Sequence, residues 1–191
     1  METKNIMIVG VGGQGTLLTS RILGALTIQA GFDVKLSEVH GMAQRGGSVV
    51  TFVRYGDKVY EPVVEEGQAD VLIAFERLEA LRYAHFLKEN GAIIVNDSRI
   101  DPMPVVIGAA KYPEYILEEL GKHHRIYKVD ALEEAKKLGN SKVFNIIVLG
   151  IAAQHMSFSK EEWLRVIEMT VPPKTIEINK KAFEVGYNLH E

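Results

Sequence analysis

The sequence predicts an α/β fold: a Rossmann-like, mostly parallel sheet flanked by helices, with a helical carboxyl-terminal portion. Three observations support this fold class. Short continuous apolar runs, typical of strands buried on both faces, alternate along the chain with amphipathic helical patterns. A glycine cluster joins the first apolar run to the first helical pattern. Beyond about residue 130 the patterns are helical only, which predicts the helical portion.

The first elements predict a strand–helix–strand unit. Residues 5–9 form an apolar run that predicts a buried strand, and leucines and isoleucines recur at helical spacing over residues 17–26. Gly31 is expected to end this helix in the left-handed conformation. Residues 34–39 predict a second strand. A strand, a helix and a strand in such a short segment predict a right-handed, parallel βαβ unit.

The middle of the chain continues the alternation. Residues 49–55 have a β pattern, and Gly56-Asp57 is expected to turn the chain back toward residues 59–60. The later predicted elements are strands at 71–75, 92–95 and 125–129, and helices ending at Asn90-Gly91, near 113–120 and at 131–138.

The carboxyl-terminal portion predicts three helices. Residues 145–154 are almost wholly apolar, which predicts a helix buried on most sides. Ser159 and Glu162 match a capping box at the start of the next helix, and Pro172-Pro173 is expected to end it. Residues 175–185 predict the last helix.

Composition narrows the class of protein. The 191 residues favour one domain, residues 1–191, and 22 basic against 25 acidic side chains give a net charge of −3 and no sign of a nucleic-acid binder. The chain has no cysteine, which excludes a thiol nucleophile and cysteine-ligated iron–sulfur or zinc sites in this chain. The longest apolar stretch, residues 146–153, is far shorter than the ~20 residues that cross a bilayer. Since residues 1–13 do not resemble a secretion signal, we expect a cytoplasmic protein without a membrane partner.

The glycine cluster carries the strongest functional signal. Gly10, Gly12 and Gly15 form G-x-G-x-x-G between a predicted strand and a predicted helix. Such glycines allow a tight turn, close approach of a ligand to the backbone and close helix–strand packing, while the helix N-terminus attracts an anion. The alternative is a tight turn that binds no ligand.

A second glycine-rich loop, residues 40–47, follows the second predicted strand. Arg45 between glycines suits a phosphate or carboxylate, and its alternative role is that of a surface or interface arginine. Because both loops follow strands of a parallel sheet, they are expected to flank one cleft. Glu38 is the only acid placed to hold a ribose, but a salt bridge to Arg45 or Lys35 is favoured over ribose binding.

The sequence shows no catalytic set. His40 has an ordinary pKa near neutrality, but a loop histidine used for hydrogen bonding is favoured over an acid–base group. The other histidines are scattered, so no metal site is expected. Neither a nucleophile elbow nor a Walker-type Gly-Lys-Ser/Thr sequence is present. The catalytic residues are therefore left unassigned.

Two segments make the sequence recognisable: GVGGQGT from Gly10 and EVHGMAQRGGSV from Glu38. They closely resemble the beta-type subunits of indolepyruvate:ferredoxin oxidoreductases, a branch of the 2-oxoacid:ferredoxin oxidoreductases that have a gamma-type subunit or domain. The likeness continues in YEP from Tyr60, NIIVLG from Asn145 and INKKAFEVGY from Ile178, and so covers the whole chain.

The resemblance implies a subunit of a thiamine-diphosphate-dependent enzyme of aromatic amino acid catabolism. Such an enzyme converts an aryl pyruvate and coenzyme A to an aryl-acetyl-CoA and carbon dioxide and reduces ferredoxin. It implies that a large alpha subunit, in an α2β2 assembly, carries the thiamine diphosphate and [4Fe-4S] clusters, and that this chain is inactive alone. Because the resemblance assigns the other cofactors to the alpha subunit, contact with coenzyme A is the cofactor role that it implies for this chain.

The candidate cofactor-binding residues lie in the two glycine-rich loops. They are Gly10, Gly12, Gly13, Gln14, Gly15, Thr16, Gln44, Arg45, Gly46 and Gly47. The alternative function is that of a stand-alone Rossmann-type nucleotide-binding oxidoreductase, for which Glu38 would have to bind ribose.

Overall fold

The structure, a computed structural model, describes residues 2–41 and 46–189. Its strands are β1 (Lys4–Val11), β2 (Asp33–His40), β3 (Ser48–Gly56), β4 (Ala69–Ala74), β5 (Leu87–Asn96) and β6 (Arg125–Val129). They form one six-stranded sheet in the order β2-β3-β1-β4-β5-β6.

Helices cover both faces of this sheet. They are α1 (Thr16–Gln29), α2 (Arg77–Tyr83), α3 (Met103–Val106), α4 (Ile116–Gly121), α5 (Ala131–Lys137), α6 (Phe144–Ala153), α7 (Lys160–Thr170) and α8 (Ile176–Asn188). Helices α1 and α5–α8 pack on one face, where Ile6 and Ile8 of β1 point. Helices α2 and α4 cover the other face, which receives Met7 and Val9. The α/β fold with a helical carboxyl-terminal portion is therefore confirmed.

The sheet is mixed in a way that the sequence did not reveal. Strands β1, β4, β5 and β6 are parallel neighbours, whereas β3 lies antiparallel between β1 and β2. Strands β1 and β2 therefore run in the same direction, as predicted, but they do not pair directly. The mostly parallel character holds, with β3 as the exception.

Two local predictions were wrong. Residues 59–60 form no strand, because the chain after β3 runs as an irregular segment tied to the sheet by the Val59 N–H, which donates to Asp33 Oδ2 over 3.0 Å. The helix predicted to reach Asn90-Gly91 ends at Tyr83 instead. Leu87 fits the helical spacing, but it begins β5, where it pairs with Ala69 at the start of β4.

The remaining helix predictions are confirmed in outline. Helix α6 is buried over nearly its whole length. Ser159 and Glu162 make both bonds of the capping box at the start of α7. Gly31, with φ +86°, follows α1 in the left-handed conformation.

Candidate functional site

The glycine loop, residues 12–15, connects the end of β1 to the start of α1. Gly13 and Gly15 have φ of +99° and +90°, a backbone conformation that favours glycine. Gly15 occupies the N-cap position of α1 without a capping side chain, and the first turn of the helix has no acidic residue. The N–H groups at this helix start therefore lack the usual internal anion, and their dipole favours an external one.

Gln14 points away from this helix start and fixes the shape of the loop. Its Oε1 accepts the Val11 N–H over 2.7 Å, and its Nε2 donates to the Phe75 carbonyl over 3.0 Å. A Cβ on Gly10 would lie 2.9 Å from Gln14 Oε1 and 3.2 Å from Phe75 Cβ, so glycine at position 10 makes room for this arrangement. The structure thus gives both residues a packing role at the end of the sheet.

The Phe75 carbonyl joins three loops. Besides Gln14, it accepts Asn96 Nδ2 over 3.2 Å and Ser98 Oγ over 3.0 Å. This junction lies between β1 and β4, where the following helices α1 and α2 lie on opposite faces of the sheet. In doubly wound sheets, dinucleotides bind at such a switch point. Here protein side chains bridge that crevice, which disfavours the stand-alone dinucleotide-binding alternative.

The open cleft lies on the other side of the glycine loop and measures about 390 Å³. We call it the glycine cleft. It is lined by Gly12, Gly13, Gly15, Thr16, Leu17, Glu38, His40 and Val49. The carboxyl ends of β1 and β2 thus contribute to one cleft, and among the described residues of the second glycine-rich loop only His40 lines it.

Glu38 faces the glycine cleft but does not make the predicted bond to Lys35. Its Oε2 accepts Thr51 Oγ1 of β3 over 3.1 Å, while Lys35 Nζ pairs with Asp33 over 2.9 Å. Residues 35 and 38 differ by an odd number on one strand and therefore point to opposite faces of the sheet, which explains the error. Arg45, the other predicted salt-bridge partner of Glu38, lies outside the described residues.

His40 ends β2 and is exposed, with its Nδ1 3.1 Å from the carbonyl oxygen of Gly41. Its placement agrees with a hydrogen-bonding loop histidine, although the ring also lines the glycine cleft.

The second glycine-rich loop touches the first. The Gly12 N–H donates to the Gly47 carbonyl over 2.9 Å, so the described end of this loop is joined to the glycine loop. Gly46, with φ +80°, and Gly47 also line a neighbouring recess of about 280 Å³. Gln44 and Arg45, predicted to bind an anion, lie outside the described residues.

This recess also contains a buried carboxyl group that the sequence did not indicate. Glu79 of α2 accepts Ser48 Oγ over 2.5 Å, and Arg82 Nε lies 3.6 Å from its other oxygen. Burial raises the pKa of Glu79 above its usual value, while the Ser48 bond opposes the shift. In the sequence, Glu79 resembles any acid in the first turn of a surface helix, so the pattern gave no signal of its burial.

Neither a metal cluster nor a membrane-spanning helix appears in the described ranges. No group of three or more histidine, aspartate or glutamate side chains there is arranged to hold a metal ion. None of the helices in the same ranges is both long and apolar enough to cross a bilayer.

Comparison with known proteins places the chain in a family. The family described as "Pyruvate ferredoxin/flavodoxin oxidoreductase" matches residues 5–189. The chain belongs to this family. It is 46% identical to indolepyruvate oxidoreductase subunit IorB of Archaeoglobus fulgidus over 189 residues, covering 96% of this chain and 94% of that one. The resemblance inferred from the sequence motifs is thereby confirmed.

Solved structures show the same fold. The gamma subunit of a keto/oxoacid ferredoxin oxidoreductase from Geobacter sulfurreducens superposes with a TM-score of 0.71 and 26% identity, covering 96% of each chain. The 2-oxoglutarate:ferredoxin oxidoreductase of Magnetococcus marinus, solved with 2-oxoglutarate, coenzyme A and succinyl-CoA bound, superposes with a TM-score of 0.74 and 20% identity. The superposition includes 98% of this chain and 31% of that longer protein.

Proposed function

We propose that this chain is the small subunit of an indolepyruvate-type 2-oxoacid:ferredoxin oxidoreductase and forms a single gamma-type domain over residues 1–191. The assembled enzyme would decarboxylate an aryl pyruvate oxidatively, join the acyl group to coenzyme A and pass the electrons to ferredoxin. The observation that carries the proposal is the 46% identity to an IorB subunit along nearly the whole of both chains.

The redox cofactors would reside in the larger alpha subunit. Iron–sulfur clusters are held by cysteine thiolates, and this chain has no cysteine. It also has no Gly-Asp-Gly sequence of the kind that holds thiamine diphosphate in related enzymes. The residues present therefore fit neither group, and no redox step is assigned to this chain.

The glycine cleft fits the remaining cofactor, coenzyme A. The uncapped start of α1 and the left-handed glycines at 13 and 15 offer backbone N–H groups to a phosphate. Arg45 would add a guanidinium fork from the neighbouring loop. These groups would bind and orient the anionic end of coenzyme A, and the neighbour from Magnetococcus marinus was solved with coenzyme A bound.

An exposed apolar segment is consistent with a partner subunit. Helix α3 contributes no buried residue, and Met103, Val106 and Ile107 are 68%, 66% and 69% exposed. Apolar side chains grouped on a surface in this way mark interaction sites. We assign the alpha subunit as the partner, in an α2β2 assembly in the cytoplasm with ferredoxin as electron acceptor.

The test of the substrate class uses the co-purified enzyme under anaerobic conditions. Reduction of a viologen dye should depend on coenzyme A and be fastest with indolepyruvate or phenylpyruvate. The matched comparison substrates are pyruvate, 2-oxoglutarate and ketoisovalerate at the same concentrations. A higher kcat/KM for one of these three would reject the aryl pyruvate assignment, while the membership of the family would stand.

A further inference from the structure

A second pocket lies at the amino edge of the sheet, opposite the glycine cleft. It measures about 280 Å³ and is bordered by Lys4 and Arg125, which begin β1 and β6. The segment that links α6 to α7, residues 154–159, closes one side. Four phenylalanine and tyrosine side chains line it: Phe32, Tyr55, Tyr127 and Phe158. We call it the aromatic pocket.

The aromatic walls are held by mutual packing. The ring centroids of Phe32 and Tyr55 lie 5.7 Å apart, and the Phe158 ring lies 5.7 Å from Tyr55 and 6.3 Å from Phe32. Behind them, the fully buried Trp163 meets Phe158 edge-on at 6.3 Å. Aromatic pairs at these separations are favourable, so the pocket is a preformed site suited to a flat apolar group.

One polar group in this wall faces the pocket. Tyr55 is 3% exposed, and its hydroxyl makes no hydrogen bond to any residue within 2–41 or 46–189. Burial, together with the nearby Asp70 carboxylate, raises the pKa of this hydroxyl to about 12, so that it stays protonated as a donor. The hydroxyl keeps some solvent contact through the pocket, and a ligand there would replace water as its hydrogen-bond partner.

The charges around the pocket favour an anion. Asp70 is already paired with Lys88 at 2.8 Å and lies 3.7 Å from Lys4 Nζ. Arg125 has no carboxylate within ion-pair distance among the residues described. Its guanidinium therefore remains available at the pocket, and a guanidinium matches the two oxygens of a carboxylate.

We propose that the aromatic pocket binds a small aromatic carboxylate, with the ring among Phe32, Tyr55 and Phe158 and the carboxylate on Arg125 and the Tyr55 hydroxyl. The site is separate from the glycine cleft, because one lies at the amino edge and the other at the carboxyl edge of the sheet. It does not depend on the proposed function, since its geometry belongs to this chain alone.

The test uses phenylacetate as the probe and the full chain, alone and in the co-purified enzyme. Calorimetric titration should show saturable binding with a Kd of about 1 mM or tighter. Fluorescence of Trp163, the only tryptophan, should change over the same concentrations because its neighbour Phe158 lines the pocket. Phenylacetamide, which lacks the charge, and acetate, which lacks the ring, should each bind at least about tenfold more weakly.

Variants locate the site. Arg125→Gln should weaken phenylacetate binding about tenfold or more, and Tyr55→Phe about threefold to tenfold. Tyr55→Phe should leave the thermal midpoint of the empty protein unchanged or higher, because it removes a hydroxyl that makes no hydrogen bond within residues 2–41 and 46–189. Lys128→Gln removes the same charge from the opposite end of β6 and should bind normally. Absence of saturable binding, or equal affinities for Arg125→Gln and Lys128→Gln, would overturn the proposal.

Discussion

Replacing Gly186 by alanine should destabilise the protein by about 3 kcal/mol or more, although alanine is the better helix former. Gly186 lies in α8 where that helix crosses α6. A Cβ there would overlap the carbonyl oxygen of Ile147 and lie 2.7 Å from its carbonyl carbon. Both atoms belong to the α6 backbone, which cannot move aside as a side chain can. The two helices would have to move apart within the core. A close-packed core rarely tolerates such a separation without a loss of stability.

The same crossing makes Gly150→Ala a parallel case, because a Cβ there would overlap the Phe183 carbonyl oxygen and lie 2.8 Å from the Tyr187 nitrogen. Gly121→Ala is the matched control. Gly121 ends α4, and within the described part of the chain its Cβ would meet only Ile126 Cδ1, at 3.9 Å. Urea unfolding followed by circular dichroism should show a large loss of stability for the first two variants and none for the control. If Gly186→Ala and Gly150→Ala were as stable as the Gly121→Ala control, α6 and α8 would not pack this closely.

Replacing Gly13 by aspartate should raise the apparent KM for coenzyme A in the assembled enzyme about tenfold to hundredfold. Gly13 is exposed in the glycine cleft, and no atom of residues 2–41 or 46–189 lies within 4 Å of the position its Cβ would take. The new carboxylate would therefore fit without a clash. It would interact favourably with the positive end of the α1 dipole and would repel a phosphate group at the same place. The kcat at saturating coenzyme A should change little, because the reacting groups are assigned to the alpha subunit.

Gly13→Asn is the control for this charge. Asparagine has nearly the shape of aspartate and meets the same strain at φ +99°, but it carries no charge. Its KM should rise far less than that of Gly13→Asp. If the two variants give equal KM values, coenzyme A does not place a phosphate at this helix start.

Elements with one strong local signal were predictable from the sequence. Strand β1 is a continuous apolar run, and α7 begins at a complete capping box, so both were found from residues close together in the chain. The position of β3 was not predictable in this way. Its residues show that it is a strand, but its pairing with β1 on one side and β2 on the other depends on contacts between distant segments.

The site was predictable only as a location. The glycine spacing and the edge rule for parallel sheets placed the two loops beside each other, and the Gly12–Gly47 hydrogen bond joins them. The role of Gln14 could not be read from the motif, because its partner Phe75 is 61 residues away. Glu79 was missed for a similar reason: its hydrogen-bond partner Ser48 lies 31 residues earlier in the chain.

The most direct test of the account is the anaerobic, coenzyme A-dependent reduction of a viologen dye by indolepyruvate with three samples: this chain, its alpha partner, and the two together. We expect turnover only from the complete pair, since this chain has no cysteine for cluster ligation and the proposed coenzyme A cleft lies on this chain. Turnover by this chain alone, or the full rate and unchanged coenzyme A dependence from the partner alone, would contradict it.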